Sequence, residues 1–521
     1  MSALLAAAAL SGPTGAAAWV TTAAGVLSLV PAGLRWLRVA QREHYLAGAG
    51  ARFGARWWTA SPGNVALGLA GVAGTALCIA FPLAGLLTAV VVVVGPRGLS
   101  VRGRTGPLVA TARLRRLAAA WLVLQGGIVL AGALVGRPAP LAVGGALAAP
   151  LLVDAACALT APVERRLGER YVRAAAARLA RVRPVVVGIT GSYGKTSTKN
   201  HVAHLLAGTR RVVATPASFN NRAGLARAVN EHLAEGTEIF VAEMGTYAKG
   251  EIAELCRWCP PEVAVLTAIG PVHLERFGSE DHILEAKAEI TASAGVVVVN
   301  ADDARLAALG ARLGEEGKEV VRCSAVDTAA DVCVRRCGEE VEVFVAGRRL
   351  PGCVALRMTA QPTNVACALA VALRLGASEE GVLARLAGLP DVPNRLVSAR
   401  APSGVLVLDD TFNANPAGAA AALAALAGTA APGRRVVVTP GMVELGRRQA
   451  DENRRFARAA ADVATDLVIV GRTNRRALAE GAGPLRQLAV ATREEAVAWV
   501  RANLGPGDAV LYENDLPDHY P

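Results

Sequence analysis

Apolar residues follow two different rhythms along this chain. Over the first third they come in long runs, Ala16 to Leu34, Asn64 to Phe81, Leu83 to Gly95, Leu117 to Gly136 and Leu141 to Ala161. Most approach the roughly 20 residues that a helix needs to cross the hydrocarbon core of a bilayer. The pattern predicts about five membrane-spanning helices, or about four if Leu83 to Gly95 is half of a hairpin broken at Pro82. From Pro184 onward, short β-branched runs alternate with helical stretches. "RPVVVGIT", "EIFVAEMG", "PEVAVLTAIG" and "GVVVVNADD" read as strands with amphipathic segments between them. This is the pattern of a parallel sheet wrapped by helices. A more irregular β-rich insert, "DVCVRRCGEEVEVFVAGRRL", follows. A second alternating series starts at "SGVLVLDDTF" and continues through "RRVVVTPGM", "DLVIVGR" and "GDAVLYEND". The segment "LPDVPNRLVSARAPSG", rich in proline and turn formers, is the expected linker between the two series. The expected organisation is a membrane region over 1–183, a central α/β domain over 184–397 and a second α/β domain over 398–521.

Charge gives the membrane region a direction. The net charge is +12 and hydrophobic residues make up 53% of the chain, high for a wholly soluble protein. Much of the positive excess is arginine beside the apolar runs. Arg35, Arg38, Arg42, Arg52 and Arg56 follow the first run; Arg97, Arg102, Arg104, Arg113, Arg115 and Arg116 follow the third; Arg165, Arg166, Arg170, Arg173 and Arg178 follow the fifth. The opposite connections offer only Arg137. Positive residues stay cytoplasmic, so the N-terminus is expected outside and everything after Arg165 in the cytoplasm. The first run lacks a basic leader and an A-x-A site, and reads as an anchor, not a cleaved signal. A multi-pass protein of the cytoplasmic membrane is expected, with the lipid bilayer as a partner. Nucleic acid is not, because no reader motif accompanies the basic residues. Asp154 lies inside the fifth run, and a carboxylate there should face protein or water. Nine scattered cysteines, including the Cys256/Cys259 and Cys333/Cys337 pairs, show no zinc-finger spacing and read as reduced structural thiols.

The chemistry-bearing segment is "GITGSYGKTSTKN". Gly191, Ser192, Gly194, Lys195, Thr196 and Ser197 stand where a strand gives way to a helix. Glycines let the backbone curl so that its N–H groups converge on phosphate oxygens. Lys195 is placed to reach the β- and γ-phosphates, the Thr196 hydroxyl to bind Mg²⁺, and the helix adds its positive end. ATP and Mg²⁺ are therefore the expected cofactors. Glu243, ending "IFVAEMG", is a second candidate metal holder. His273 just after a strand and Lys287 on the next helix carry little weight alone.

The order of the segments carries more. "TGSYGKTST", "SFNNRAG", "VAEMG", "VHLERFGS…EAKAEI", "NADD", "TNVACALA", "PNRL", "DDTFNANPAG" and "GMVELG" occur in succession. Together they closely resemble the Mur ligases, ATP-dependent amide-bond formers of peptidoglycan assembly, and within them the branch that adds D-alanyl-D-alanine to UDP-N-acetylmuramoyl-tripeptide. The resemblance runs from about residue 184 to the C-terminus and implies a P-loop central domain followed by a Rossmann-like C-terminal domain. It also implies a mechanism. A substrate carboxylate attacks the γ-phosphate, and an amine displaces phosphate from the resulting acyl phosphate. By matching position, Lys195 offsets charge on the transferring group, Thr196 and Glu243 hold one Mg²⁺ and His273 a second. Lys287 matches a lysine that is carbamylated in family members. Asn364 matches the adenine-contacting asparagine; Arg395 and Asp410 are expected on ATP phosphates or ribose. Asn220, Asn221, Asn413 and Asn415 are expected at the substrate side.

Three departures limit what transfers. The family's UDP-sugar domain is replaced by the membrane third, Thr363 stands where the family has histidine, and the chain ends "LYENDLPDHYP" instead of a Lys-Gly-Ser stretch. Glu513, Asn514, Asp515 and Asp518 make that end acidic, suited either to a cationic partner or to a solvated tail. The expected activity is a membrane-anchored ligase joining a carboxylate to an amine substrate in a cell-envelope or peptide-polymer precursor, a poly-γ-glutamate-type synthetase included. An ATP-driven transporter or switch and a nucleotide-binding scaffold are the readings from other classes. Oligomeric state is not legible.

Overall fold

The computed structural model describes residues 14–101, 108–338, 340–356, 360–390, 396–411, 415–516 and 520–521. They fall into two units, Met1–Leu167 with Leu516–Pro521, and Gly168–Asp515.

In the first unit the apolar runs are helical: α1 (Ala16–Arg42), α2 (Ala49–Thr59), α3 (Pro62–Cys78), a 3₁₀ turn (Pro82–Ala84) into α4 (Gly85–Val94), α5 (Ala112–Leu134), α6 (Pro138–Leu147) and α7 (Ala149–Val182). By length and composition α1 and α5 can cross a membrane, and α6 with α7 adds a third span if that pair, bent by 77°, is counted as one. Helix α3 and the segment Pro82–Val94 are apolar but shorter. The run from Leu141 to Ala161 is therefore not one rod. The break falls at Ala148, and Pro150, in the first turn of α7, has no N–H to continue the hydrogen bonding of α6. Helix α2, which the apolar pattern did not predict, is strongly amphipathic. Leu27, Leu69, Val123 and Leu134 point outward, exposed, while Trp36, Phe53, Leu117, Trp121 and Val153 form the interior.

Two polar residues inside this unit finish helix ends. The Arg35 guanidinium donates to the carbonyls of Val92 (2.8 Å), Val93 (2.5 Å) and Gly95 (2.9 Å), which α4 leaves unpaired at its C-terminus. Asp154 accepts from the backbone N–H of Gly50 (2.9 Å) and Ala51 (2.8 Å), the first turn of α2. Its place in an apolar run is thus explained by capping.

The second unit holds two sheets. The first strings β1 (Val185–Thr190), α8 (Lys195–Leu206), β2 (Val212–Ala214), α9 (Arg222–His232), β3 (Ile239–Glu243), α10 (Glu251–Trp258), β4 (Val263–Leu266), α11 (Leu274–Phe277), α12 (Glu280–Ala288), β5 (Val296–Asn300), α13 (Ala304–Glu315) and β6 (Glu319–Ser324). The strand order is β6-β5-β4-β1-β3-β2, all parallel. Strands β7 (Val332–Cys337), β8 (Glu340–Val345), β9 (Arg348–Arg349) and β10 (Val354–Ala355) extend it beyond β6. The irregular insert is thus an antiparallel hairpin, Val332 opposite Val345, added to a parallel sheet. Helices α8, α14 (Pro362–Arg374) and α15 (Glu379–Leu386) cover one face. Helices α9, α10, α12 and α13 cover the other with Ala175 and Leu179 of α7. Burial on both faces is why β1, β3, β4 and β5 read as unbroken apolar runs.

The second sheet contains β11 (Val397–Arg400), β12 (Leu406–Asp410), α16 (Pro416–Ala427), β13 (Arg435–Thr439), α17 (Gln449–Val463), β14 (Asp466–Val470), α18 (Arg475–Ala482), β15 (Arg486–Val490), α19 (Arg493–Asn503) and β16 (Ala509–Glu513). Its order is β11-β12-β16-β13-β14-β15, parallel except β11. Part of the expected linker is therefore a strand. Val397–Arg400 pairs antiparallel with β12, and its exposed, polar edge position hides the apolar alternation by which strands are recognised.

Candidate active site

Strand β1 lies between β3 and β4, and the chain leaves it first toward β2 and later returns to β4 on its other side. Crevices at such reversals, outside the C-terminal strand ends, are where open α/β sheets bind ligands. The loop Gly191–Gly194 occupies that place and runs into the N-terminus of α8. Its glycines are steric requirements. A Cβ on Gly191 would lie 2.0 Å from Thr267 Oγ1, and one on Gly194, whose φ is +77°, 2.2 Å from Asn364 Oδ1. The loop is tied to the segment after β4: Ser192 N–H donates to Ala268 O (2.7 Å), the Ser192 hydroxyl to Gly270 O (3.1 Å), and Gly270 N–H returns to Ser192 Oγ (3.0 Å). Asn364, at the start of α14, sits against the loop from the other side. Lys195 Nζ curls back to the carbonyls of Gly191 (2.7 Å) and Ser192 (3.3 Å). Ser197 follows, half-buried, on the first turn of α8.

The end of β3 comes into register beside the loop, Glu243 opposite Ile189. Glu243 is buried and fully engaged. Its Oε2 accepts from the Thr196 hydroxyl (2.9 Å) and Lys199 Nζ (3.3 Å), its Oε1 from Asn220 Nδ2 (3.1 Å). Lys199 also donates to Ala217 O (2.5 Å), and burial lowers its pKa while Glu243 opposes the shift. Hydroxyl and carboxylate oxygens at a phosphate loop are the hard donors Mg²⁺ takes, with phosphates and water completing its shell. Among the described residues no group of three or more His, Cys, Asp or Glu forms a dedicated metal cage. The donors present fit a metal shared with nucleotide phosphates.

Lys287 is the opposite case. It projects from α12 into the interior, 3% exposed, with no hydrogen-bond or ion-pair partner among the described residues. Burial, and then the charge of Lys195, push its pKa well below the ordinary lysine range. His273 stands in the left-handed region (φ +54°) at the start of α11, its ring edge-on to Tyr247 at 4.7 Å. Its Nδ1 contacts Glu444 Oε2, from the loop after β13.

Other expected site residues are placed differently. Asn221 Oδ1 caps α9 by accepting from Gly224 N–H (2.9 Å), and Asn415 Oδ1 caps α16 by accepting from Gly418 N–H (2.9 Å). Asp410 ends β12 and accepts from Leu396 N–H (3.0 Å). Arg395 and Asn413 lie outside the described residues. In the acidic C-terminal stretch Glu513 and Asn514 are buried and Asp515 is half-buried, while Asp518 lies outside the described residues. Glu513 is fully buried, bonded to the Thr439 hydroxyl (2.8 Å) with its other oxygen unpaired among the described residues, and burial raises its pKa to about 8. Asp515 pairs with Arg493 at 2.5 Å. All nine cysteines are free thiols. Sequence reasoning missed Lys199 and Glu444. The first shares the helix and buried side of the loop lysine, and the second lies within the quoted "GMVELG".

Loop, hydroxyl, carboxylate and neighbouring lysines define a nucleoside-triphosphate site of the phosphate-loop class. Comparison with known proteins narrows the class. Residues 189–372 match the Mur ligase middle domain, and residues 394–512 match the Mur ligase, glutamate ligase domain. The chain is 34% identical over 385 residues to the UDP-N-acetylmuramoyl-tripeptide--D-alanyl-D-alanine ligase of Mycobacterium tuberculosis (strain ATCC 25618 / H37Rv), covering 66% of this chain and 72% of that protein. The protein of the same name from Bacillus subtilis (strain 168) is 31% identical over 265 residues, 50% of this chain and 57% of its own length. The crystal structure of the Thermotoga maritima MurF ligase in complex with ADP superposes with a TM-score of 0.59 at 27% identity, over 67% of this chain and 80% of that one. That of MurF from Acinetobacter baumannii gives 0.59 at 25% identity, over 67% and 77%. The chain belongs to the Mur ligase family, ATP-dependent ligases that form amide bonds.

Proposed function

We propose that the protein is a membrane-anchored amide ligase of cell-wall precursor synthesis, which activates a carboxylate as an acyl phosphate and couples it to an amine. The names of its relatives make UDP-N-acetylmuramoyl-tripeptide and D-alanyl-D-alanine the first acid and amine to test. The reading divides the chain into a membrane region (1–183), a central ATP-binding domain (184–397) and a C-terminal Rossmann-like domain (398–521). The membrane region crosses about five times, with the arginine clusters and the ligase half in the cytoplasm. Outward-facing Leu27, Leu69, Val123 and Leu134 support the anchor, since water-exposed apolar surface of this kind is unfavourable.

The observation that carries the ligase reading is the partnerless lysine beside the phosphate loop. A buried, unpaired ammonium is costly, and burial and the Lys195 charge bias Lys287 toward the neutral amine. A neutral amine adds CO₂ and releases a proton, so the Nζ–C bond formed at Lys287 yields a carbamate anion. That anion answers the Lys195 charge that acts on Lys287. Loop N–H groups and Lys195 then bind the phosphates and offset charge on the transferring phosphoryl group. Thr196 and Glu243 hold one Mg²⁺ and His273 a second; the metal's contribution is to neutralise phosphate charge and align the γ-phosphoryl group. Lys199 and Asn220 keep the Glu243 carboxylate turned to the loop. Asn364, packed against Gly194, is assigned to the adenine ring, and Asp410 and Arg395 to the ribose or phosphates. Asn220, Asn221, Asn413 and Asn415 are assigned to binding the acid and amine substrates.

The test is phosphate release by the detergent-solubilised full chain with ATP and Mg²⁺. Release should require both acid and amine, and hydroxylamine in place of the amine should trap a hydroxamate. ATP hydrolysis indifferent to acid and amine, with no coupled or trapped product, overturns the reading.

A further inference from the structure

Glu444 is a residue the mechanism above leaves unused, yet its surroundings are closely specified. It sits in the loop after β13 with a φ of +63°, facing His273 at +54°. Neither is glycine, and side chains held in this region are costly unless their surroundings over-determine them. Two contacts hold them: the Glu444 carboxylate meets His273 Nδ1, and the Glu444 carbonyl accepts from Glu275 N–H at 3.3 Å. Four residues on, Arg448 pairs with Glu280 at 2.6 Å. Tyr247 fixes the ring from its edge at 4.7 Å.

A carboxylate only accepts hydrogen bonds, so the Nδ1 it touches carries the proton. A neutral imidazole then has its lone pair on Nε2. Nε2 of His273 has no hydrogen-bond partner among the described residues, and the side chain is 23% exposed. This is the carboxylate–histidine arrangement that prepares a ring nitrogen for a metal ion. The carboxylate comes from the sheet of the C-terminal half and the histidine from that of the central half. We propose that Glu444 is a positioning residue which holds His273 in the Nδ1–H tautomer, so that seating the loop after β13 prepares the second metal position. The inference rests on the reading of His273 as a metal ligand.

Two measurements on the full chain in detergent at pH 8 test it. The first is ¹⁵N NMR of histidine-labelled protein without metal. The wild type should show His273 protonated at Nδ1, Glu444→Ala should shift it toward Nε2–H, and Arg448→Ala, which breaks the nearby pairs with Glu280 and Glu452 but no contact of His273, should leave it unmoved. The second is Mn²⁺ binding by electron paramagnetic resonance with a non-hydrolysable ATP analogue. Glu444→Ala should weaken the second ion by about 10–100-fold, the usual cost of losing such a partner. Glu444→Gln keeps an acceptor oxygen and should recover part of both signals; it also serves if Glu444→Ala does not fold. Loss of the ion with an unchanged tautomer makes Glu444 a direct ligand and overturns the proposal, as does no change in either signal while His273→Ala loses the ion. If His273→Ala itself binds both ions normally, the ligand reading of His273 fails first.

Discussion

Lys199 and Lys287 are both nearly inaccessible, at 1% and 3% exposure, and both lie on helices beside the phosphate loop. In each, burial works against the ammonium. Around Lys199 the corner is complete: a carboxylate, a carbonyl and an amide answer every charge. Around Lys287 the nearest charge is Lys195, of the same sign. The first corner is built to hold a cation, and the second to refuse one. Position on a helix and burial do not separate a structural lysine from a chemical one. The partner does.

The contrast is broken most forcefully at Lys199. Lys199→Met leaves Glu243 as an unanswered buried charge and should cost about 3–5 kcal/mol, read as a lowered unfolding midpoint. At Lys287 the main effect falls on turnover. Lys287→Ala should lose about 10²–10³-fold in phosphate release, the scale for removing one preorganised charge, with partial recovery on adding a short-chain carboxylic acid. Unchanged activity removes the carbamate assignment. The mildest test concerns stability with the metal, nucleotide and CO₂ withheld. There Lys287→Met should stabilise by about 1 kcal/mol, opposite in sign to Lys199→Met. Its pH dependence has a definite direction. The folded pKa of Lys287 lies below its unfolded value, so between the two the unfolded chain binds more protons. Wild-type stability should rise with pH between the lowered folded pKa and the ordinary lysine value, by up to about 1.4 kcal/mol per unit, relative to Lys287→Met. A flat difference between the two melting profiles would count against a neutral Lys287.

What could be read from sequence was what local chemistry dictates. Gly191, Gly194 and Lys195 announce the loop because only glycine fits against Thr267 and Asn364. The β-branched runs announce strands because both faces of the sheet are covered. The apolar runs of the first unit are helices, but run length did not reveal the 77° break at Ala148 or the capping role of Asp154. Strand β11 was hidden by its exposed edge. Lys199 and Glu444 escaped for a different reason. What each does is set by groups far along the chain, Glu243 in one case and His273 in the other, and one-dimensional spacing does not contain that.

Strand β16 runs between β12 and β13, and its last residue, Glu513, is sealed in with one oxygen on Thr439. Kept uncharged up to about pH 8, it still titrates near 4.5 once the chain opens. The folded form therefore holds a proton that the open form releases, and alkalinisation from about 4.5 to about 8 progressively favours opening. Glu513→Gln should abolish that slope, which melting curves across this interval would show. The C-terminal sheet thus carries its own alkaline ceiling at the tip of a central strand.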